Sequence, residues 1–146
     1  MFKKRSLILI LFLSVTLPVF SQTADDVVAK WLNASGEGQI MIYKKGDKYF
    51  GRLSWLKEIR DDKGQIKRDS KNPDPSLRKR PILGSEILNN FDYLGDGAWG
   101  NGTIYDPKTG KTYSCKITRL NNNQLSIRGY VGISLFGRTE IWKRVQ

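Results

Sequence analysis

Apolar and polar positions along this chain alternate with a period of two over most of its length, the repeat of a strand and not of a helix. Gln39-Ile40-Met41-Ile42-Tyr43 leads through Lys44-Lys45-Gly46-Asp47 into Lys48-Tyr49-Phe50-Gly51-Arg52-Leu53-Ser54-Trp55-Leu56. β-branched and aromatic residues on both sides of a Gly-Asp turn predict a hairpin. Further strands are expected over 86–93, 98–105, 111–120, 124–131 and from about Phe136 to Val145, separated by Asp106-Pro107-Lys108-Thr109-Gly110 and Asn121-Asn122-Asn123. Proline, glycine and asparagine sit there at turn positions. Before these strands, Ala24 to Asn33 is short and partly helical in composition, with Trp31 near its end. Short strands, frequent turns and no long helical period predict an all-β antiparallel sandwich or barrel.

One segment breaks the rhythm. Residues 60–80, RDDKGQIKRDSKNPDPSLRKR, are charged and apolar-poor and carry Pro73 and Pro75. A loop of this length inside a compact domain is usually functional or mobile. Asp61, Asp62, Asp69 and Asp74 do not follow the spacing of a helix-loop-helix calcium site, so a solvated loop is expected.

The last hairpin, RGYVGISLFGRTEIW over 128–142, has an unusually apolar tip in Val131, Ile133, Leu135 and Phe136. With Ile133-Ser134 as the centre of the turn, Arg128 faces Glu140 and Tyr130 faces Arg138, all on one side of the sheet. Leu125, Ile127, Gly129, Thr139, Ile141 and Val145 then occupy the other side. The polar set reads either as a floor inside a barrel that fixes a ligand head group or as an external cross-strand ion pair. Together with Phe136 and Trp142 it forms the candidate ligand-binding set: Tyr130, Phe136, Arg128, Arg138, Glu140 and Trp142. The tip itself is expected to be the lip of a barrel mouth or a contact surface, or else to lie buried under the 60–80 loop.

Composition narrows the chemistry. The chain opens with Lys3-Lys4-Arg5, continues through Leu7-Ile8-Leu9-Ile10-Leu11-Phe12-Leu13 and ends the segment with Val19-Phe20-Ser21, the pattern of a secretory leader cleaved after Ser21. Residues 22–146 form one domain, and removal of three cations lowers the net charge from +11 to +8. A basic surface favours contact with anionic envelope components; nucleic acid is not expected for an exported protein. There is no histidine and a single cysteine, Cys115. That removes the usual general base, the Ser-His and Cys-His pairs, any intramolecular disulfide and thiolate metal clusters. No carboxylate pair suits glycosidase chemistry. No catalytic residue, metal site or cofactor is predicted.

Five ordered stretches carry a resemblance. Asn72-Pro73-Asp74-Pro75, Arg80-Pro81-Ile82-Leu83-Gly84, Ile104-Tyr105-Asp106-Pro107-Lys108-Thr109-Gly110-Lys111-Thr112-Tyr113, Arg128-Gly129-Tyr130-Val131-Gly132 and Phe136-Gly137-Arg138-Thr139 with Trp142 resemble the exported bacterial family known as domain of unknown function 2147. The resemblance spans about residues 30–145 and implies a lipocalin-like antiparallel β-barrel of about eight strands, periplasmic or secreted, with a role in binding a small apolar or amphipathic molecule. It supplies no catalytic residues. Lipocalin-like barrels tend to start with Gly-x-Trp, and here Ala29-Lys30-Trp31 keeps the tryptophan without the glycine. Trp31 is expected at the closed end of the barrel, packed on Arg144 of the last strand. The alternatives are a basic envelope module that binds anionic glycans or lipid head groups through the 60–80 loop, and a purely structural envelope protein with a filled barrel.

Overall fold

Tight turns set the topology. Asp96 and Gly97 both take left-handed backbone angles, φ 51° and 69°, which a two-residue turn between twisted antiparallel strands requires. The computed structural model describes residues 23–146, so the leader expected over 1–21 lies outside the described residues. Eight strands follow in chain order: β1 (Lys30–Leu32), β2 (Gly38–Lys45), β3 (Lys48–Leu56), β4 (Glu86–Gly95), β5 (Ala98–Asp106), β6 (Lys111–Asn121), β7 (Gln124–Tyr130) and β8 (Gly137–Arg144). Each pairs antiparallel with the next, and β8 returns to β1 to close a barrel. The seam is short: Trp31 faces Arg144 and Leu32 faces Lys143.

Alternating strand directions sort the connections into two ends. The β2–β3, β4–β5 and β6–β7 turns share one end with a 3-10 turn over Ala24–Val27. The β1–β2 connection, the long 57–85 segment, the β5–β6 turn and the β7–β8 tip share the other. Chain-order topology thus puts the Asp106–Gly110 turn beside the apolar tip, and not with the turns at 44–47 and 121–123.

The core is the barrel interior. Trp31, Ile40, Ile42, Tyr49, Leu88, Phe91, Trp99, Cys115, Ile117, Leu125, Ile127 and Trp142 are all buried. A Cβ added at Gly102 would meet the Phe91 ring at 2.5 Å, so that ring lies flat on bare backbone and fills the axis. A layer of buried apolar side chains thus crosses the barrel interior.

Candidate functional site

The end carrying the 3-10 turn is shut. The Trp31 indole is fully buried and its Nε1 donates to the Val27 carbonyl at 2.9 Å. Trp99 Nε1 donates to the Ala24 carbonyl at 3.0 Å, so two interior tryptophans hold the 3-10 turn across the opening. The Arg144 guanidinium lies 4.5 Å from the Trp31 ring centroid, and its Nη2 and Nε donate to the carbonyls of Asp26 and Asn122. Asp25 accepts from Tyr49 Oη at 2.5 Å and pairs with Lys44 at 3.3 Å. Those two contacts, Tyr49 first, hold the Asp25 carboxyl below its ordinary range.

At the other end the final hairpin departs from the expected pairing. Its register places Arg128 opposite Thr139, Ile127 opposite Glu140, Gly129 opposite Arg138 and Tyr130 opposite Gly137. These pairs centre the turn between Ile133 and Ser134, half a residue earlier than the Ser134 centre that Arg128 opposite Glu140 would require, and a six-residue loop closed by Phe136 N–H to the Ile133 carbonyl joins the strands. A one-residue change in pairing reverses the faces of one strand relative to the other. Arg128 and Glu140 are therefore not a cross-strand pair, and neither are Tyr130 and Arg138. Leu125 and Ile127 face inward with Trp142, which is a core residue at 2 % exposure, while Ile141 and Thr139 face out.

The same register turns Glu140 into the barrel. Its carboxylate accepts from Trp142 Nε1 at 3.4 Å and lies 3.9 Å from the exposed guanidinium of Arg138. Around it, on β5 to β8, lie the inward positions that are only half-buried: Ile104 and Tyr113, which face one another across the β5–β6 pair, and Gly129. A Cβ at Gly129 would rest 3.5 Å from Ile104 and 3.7 Å from Tyr113, so the bare glycine opens onto both. These half-buried residues form a cluster, the cup, with Ile104 and Tyr113 on β5 and β6 and the Glu140–Arg138 pair on β8, beyond the buried Ile127, Cys115 and Phe91 along the strands. Burial pushes the Cys115 thiol up to about 12, which leaves it protonated and unreactive beneath the cup.

Most of the 60–80 segment is exposed, as expected of a solvated loop, but it is pinned at Asp69 and Asn72. Asp69 is fully buried: Tyr105 Oη donates to it at 2.5 Å, Asn72 Nδ2 at 2.8 Å, and the Arg80 guanidinium at 2.8 and 3.0 Å. Burial alone would raise the Asp69 carboxyl; the bonds from Tyr105, Asn72 and Arg80 outweigh it and hold the group below its ordinary value. Burial, with Asp69 beside it, pushes the Tyr105 hydroxyl up to about 12. Lys71 Nζ donates to the Lys108 carbonyl, and a Cβ at Gly110 would fall 2.0 Å from the Lys71 carbonyl oxygen, so the segment lies directly on the β5–β6 turn. Arg68 and Arg78 donate to the carbonyls of Lys79 and Asn72. With Arg60 on the Gly64 carbonyl, five cations of this segment thus bind the loop to itself or to the barrel.

Two parts of this end escaped the sequence reading. Ile104 and Tyr113 share strand parity with Gly102 and Cys115, a signal that extending the alternation to those strands would have exposed. Asp69 offered no such signal, since its partners come from Asn72 and Arg80 on the loop and Tyr105 on a strand 36 residues away.

Three comparisons bear on this arrangement. The solved structure of protein HP1028 from Helicobacter pylori, described as belonging to the lipocalin family, superposes with a TM-score of 0.70 at 23 % identity, over 82 % of this chain and 83 % of that one. The likeness shows the lipocalin-like fold. A search of the curated proteins finds no match. Residues 29–144, including the pinned loop, the cup and the final hairpin, match the family described as an uncharacterized protein conserved in bacteria (DUF2147), and the chain belongs to that family.

Proposed function

We propose that this protein is exported and that it binds, without transforming it, one small amphipathic molecule at the open end of its barrel. The observation that carries the reading is Glu140: a carboxylate turned inward and half-exposed at one end of a barrel whose core, among the described residues, is mainly apolar. A ligand that sets its apolar part on Ile104 and Tyr113 would offer a hydrogen-bond donor, an amine or hydroxyl, to that carboxylate. A donor to an ionised acceptor makes a stronger bond than a neutral pair. The basic leader over 3–5 and the Val19-Phe20-Ser21 end support export. The absence of histidine from the whole chain and the burial of Cys115 favour binding over catalysis.

Chain purified from its native envelope is expected to begin at Gln22 by intact mass and to carry a small molecule in native mass spectrometry. Glu140→Gln, which keeps the shape and removes the charge, should weaken binding of an amphipathic fluorescent amine by about tenfold, the loss of one charge-assisted hydrogen bond. Equal affinity of the two forms would remove Glu140 from the site.

A further inference from the structure

The apolar side chains of the tip between β7 and β8 are exposed and are not covered by the 57–85 segment. Val131, Ile133, Leu135 and Phe136 are 69 %, 58 %, 76 % and 70 % exposed, whereas Leu125, Ile127 and Trp142 in the strands on either side are buried. Exposed apolar patches of this kind mark contact surfaces.

Part of its backbone is bonded within the protein. Arg128 reaches up from β7 and donates through Nε to the Ser134 carbonyl at 2.7 Å, through Nη2 to the Leu135 carbonyl at 3.3 Å and through Nη1 to Thr139 Oγ1 at 2.8 Å. Phe136 N–H donates to the Ile133 carbonyl at 3.1 Å. One guanidinium thus holds two carbonyls of the turn, while the apolar side chains are exposed. Backbone that enters lipid must have its polar groups satisfied within the protein.

The surroundings are cationic. Arg138 is 88 % exposed at the base of the tip, and Lys116, opposite Arg128 on β6, is exposed on the outer face. Strand β6 continues to exposed Lys111 at the same end. The acids closest to the tip in the fold are Glu140, beside Arg138, and Asp106, which accepts from Lys108 N–H and Thr109 Oγ1; Glu37, paired with Lys108, and the exposed Glu58, Asp61 and Asp62 lie at the same end on the β1–β2 connection and the 57–85 segment. An apolar tip ringed by basic residues matches the boundary of an anionic bilayer, with hydrocarbon below the head groups and cations among them.

We propose that the β7–β8 tip docks the protein on an anionic membrane surface, with the open end of the barrel toward the lipid. The docking stands whether or not the barrel holds a ligand. The test is partition of the chain over 22–146 onto vesicles of phosphatidylcholine alone and of phosphatidylcholine mixed equally with phosphatidylglycerol. Binding is expected to the mixed vesicles, weaker on the neutral ones and weakened by salt. The double variant Leu135→Ser, Phe136→Ser should lose about tenfold or more in partition, since two large apolar groups no longer enter the interface. Arg138→Gln should lose about fivefold, the contribution of one cation near such a surface. Unaltered thermal unfolding of both variants establishes that they are folded. Failure of the unaltered chain to bind mixed vesicles, or equal binding by the double variant, overturns the proposal. A dimer in solution that the double variant dissociates, without vesicle binding, also overturns it and assigns the tip to self-association.

Discussion

Both ends of this barrel use an arginine to satisfy loop carbonyls, and they use it to opposite ends. At the closed end Arg144 donates to the carbonyls of Asp26 and Asn122 while its guanidinium covers a fully buried indole. At the open end Arg128 donates to the carbonyls of Ser134 and Leu135 and leaves the apolar side chains of the same turn in water. The polar bookkeeping is alike and the apolar groups decide the role. Where they point inward, the arginine completes a core. Where they point outward, it holds a surface ready for a partner. Stability is expected to reside at the first end and recognition at the second.

The largest expected break in that comparison is Trp31→Ala. It removes a buried indole, its bond to Val27 and the surface on which Arg144 rests, and should cost about 3–5 kcal/mol of unfolding free energy. Stacking of the guanidinium contributes about 0.5–2 kcal/mol of this, which a double-mutant cycle with Arg144→Ala would isolate as coupling. An unchanged melting temperature for Trp31→Ala would deny the closed end its role as the stable one.

Asp69 sharpens the comparison, because it shows that the open end also has a fixed part. Asp69→Asn should cost about 1–3 kcal/mol, as Arg80 and Tyr105 lose a buried ionised acceptor. The folded-state pKa of Asp69 lies below its ordinary 3.8, so the carboxylate's contribution is complete above that value and is lost as pH falls through the folded pKa. The stability difference between wild type and Asp69→Asn, followed by denaturant unfolding, should therefore be constant near neutrality and shrink below about pH 3.8. A difference that grew with acid would reverse the sign of the argument.

Much of the architecture was legible in the chain. Alternation with turn residues such as Gly46-Asp47 and Asn121-Asn122-Asn123 marks strands within a residue or two of where they lie, since a half-buried strand must repeat every second position. The register of the final hairpin was not legible. Six loop residues, most of them apolar, admit two turn centres half a residue apart, and only the closure by Phe136 N–H chooses between them. That choice decides whether Trp142 is a ligand contact or core, and whether Glu140 faces water or the cup. The burial of Asp69 was equally hidden, because a polar residue satisfied by partners distant in the chain has the composition of a solvated loop. Trp31 and Arg144 stand apart: they can be paired from the chain alone, since closing a sheet must bring its first and last strands together.

The smallest expected effect on stability is Phe136→Ser, and it tests the comparison from the side of recognition. The side chain is 70 % exposed, and the turn beneath it is held by Arg128 through backbone carbonyls that a serine at 136 leaves in place. Substitutions at such surface positions usually fall within about 0.5 kcal/mol, and thermal unfolding should stay within about 1 kcal/mol of wild type. Affinity for an amphipathic fluorescent probe should nevertheless fall, because the exposed Phe136 ring no longer offers apolar surface at the rim of the cup that holds Glu140. The two readouts separate three cases. Lost affinity with retained stability places recognition at the open end. A large loss of stability would make Phe136 part of the core and erase the contrast with Trp31. Unchanged affinity with unchanged stability would leave probe binding to Ile104, Tyr113 and Glu140 alone, and the tip would then act only through the membrane contact that the vesicle experiment measures.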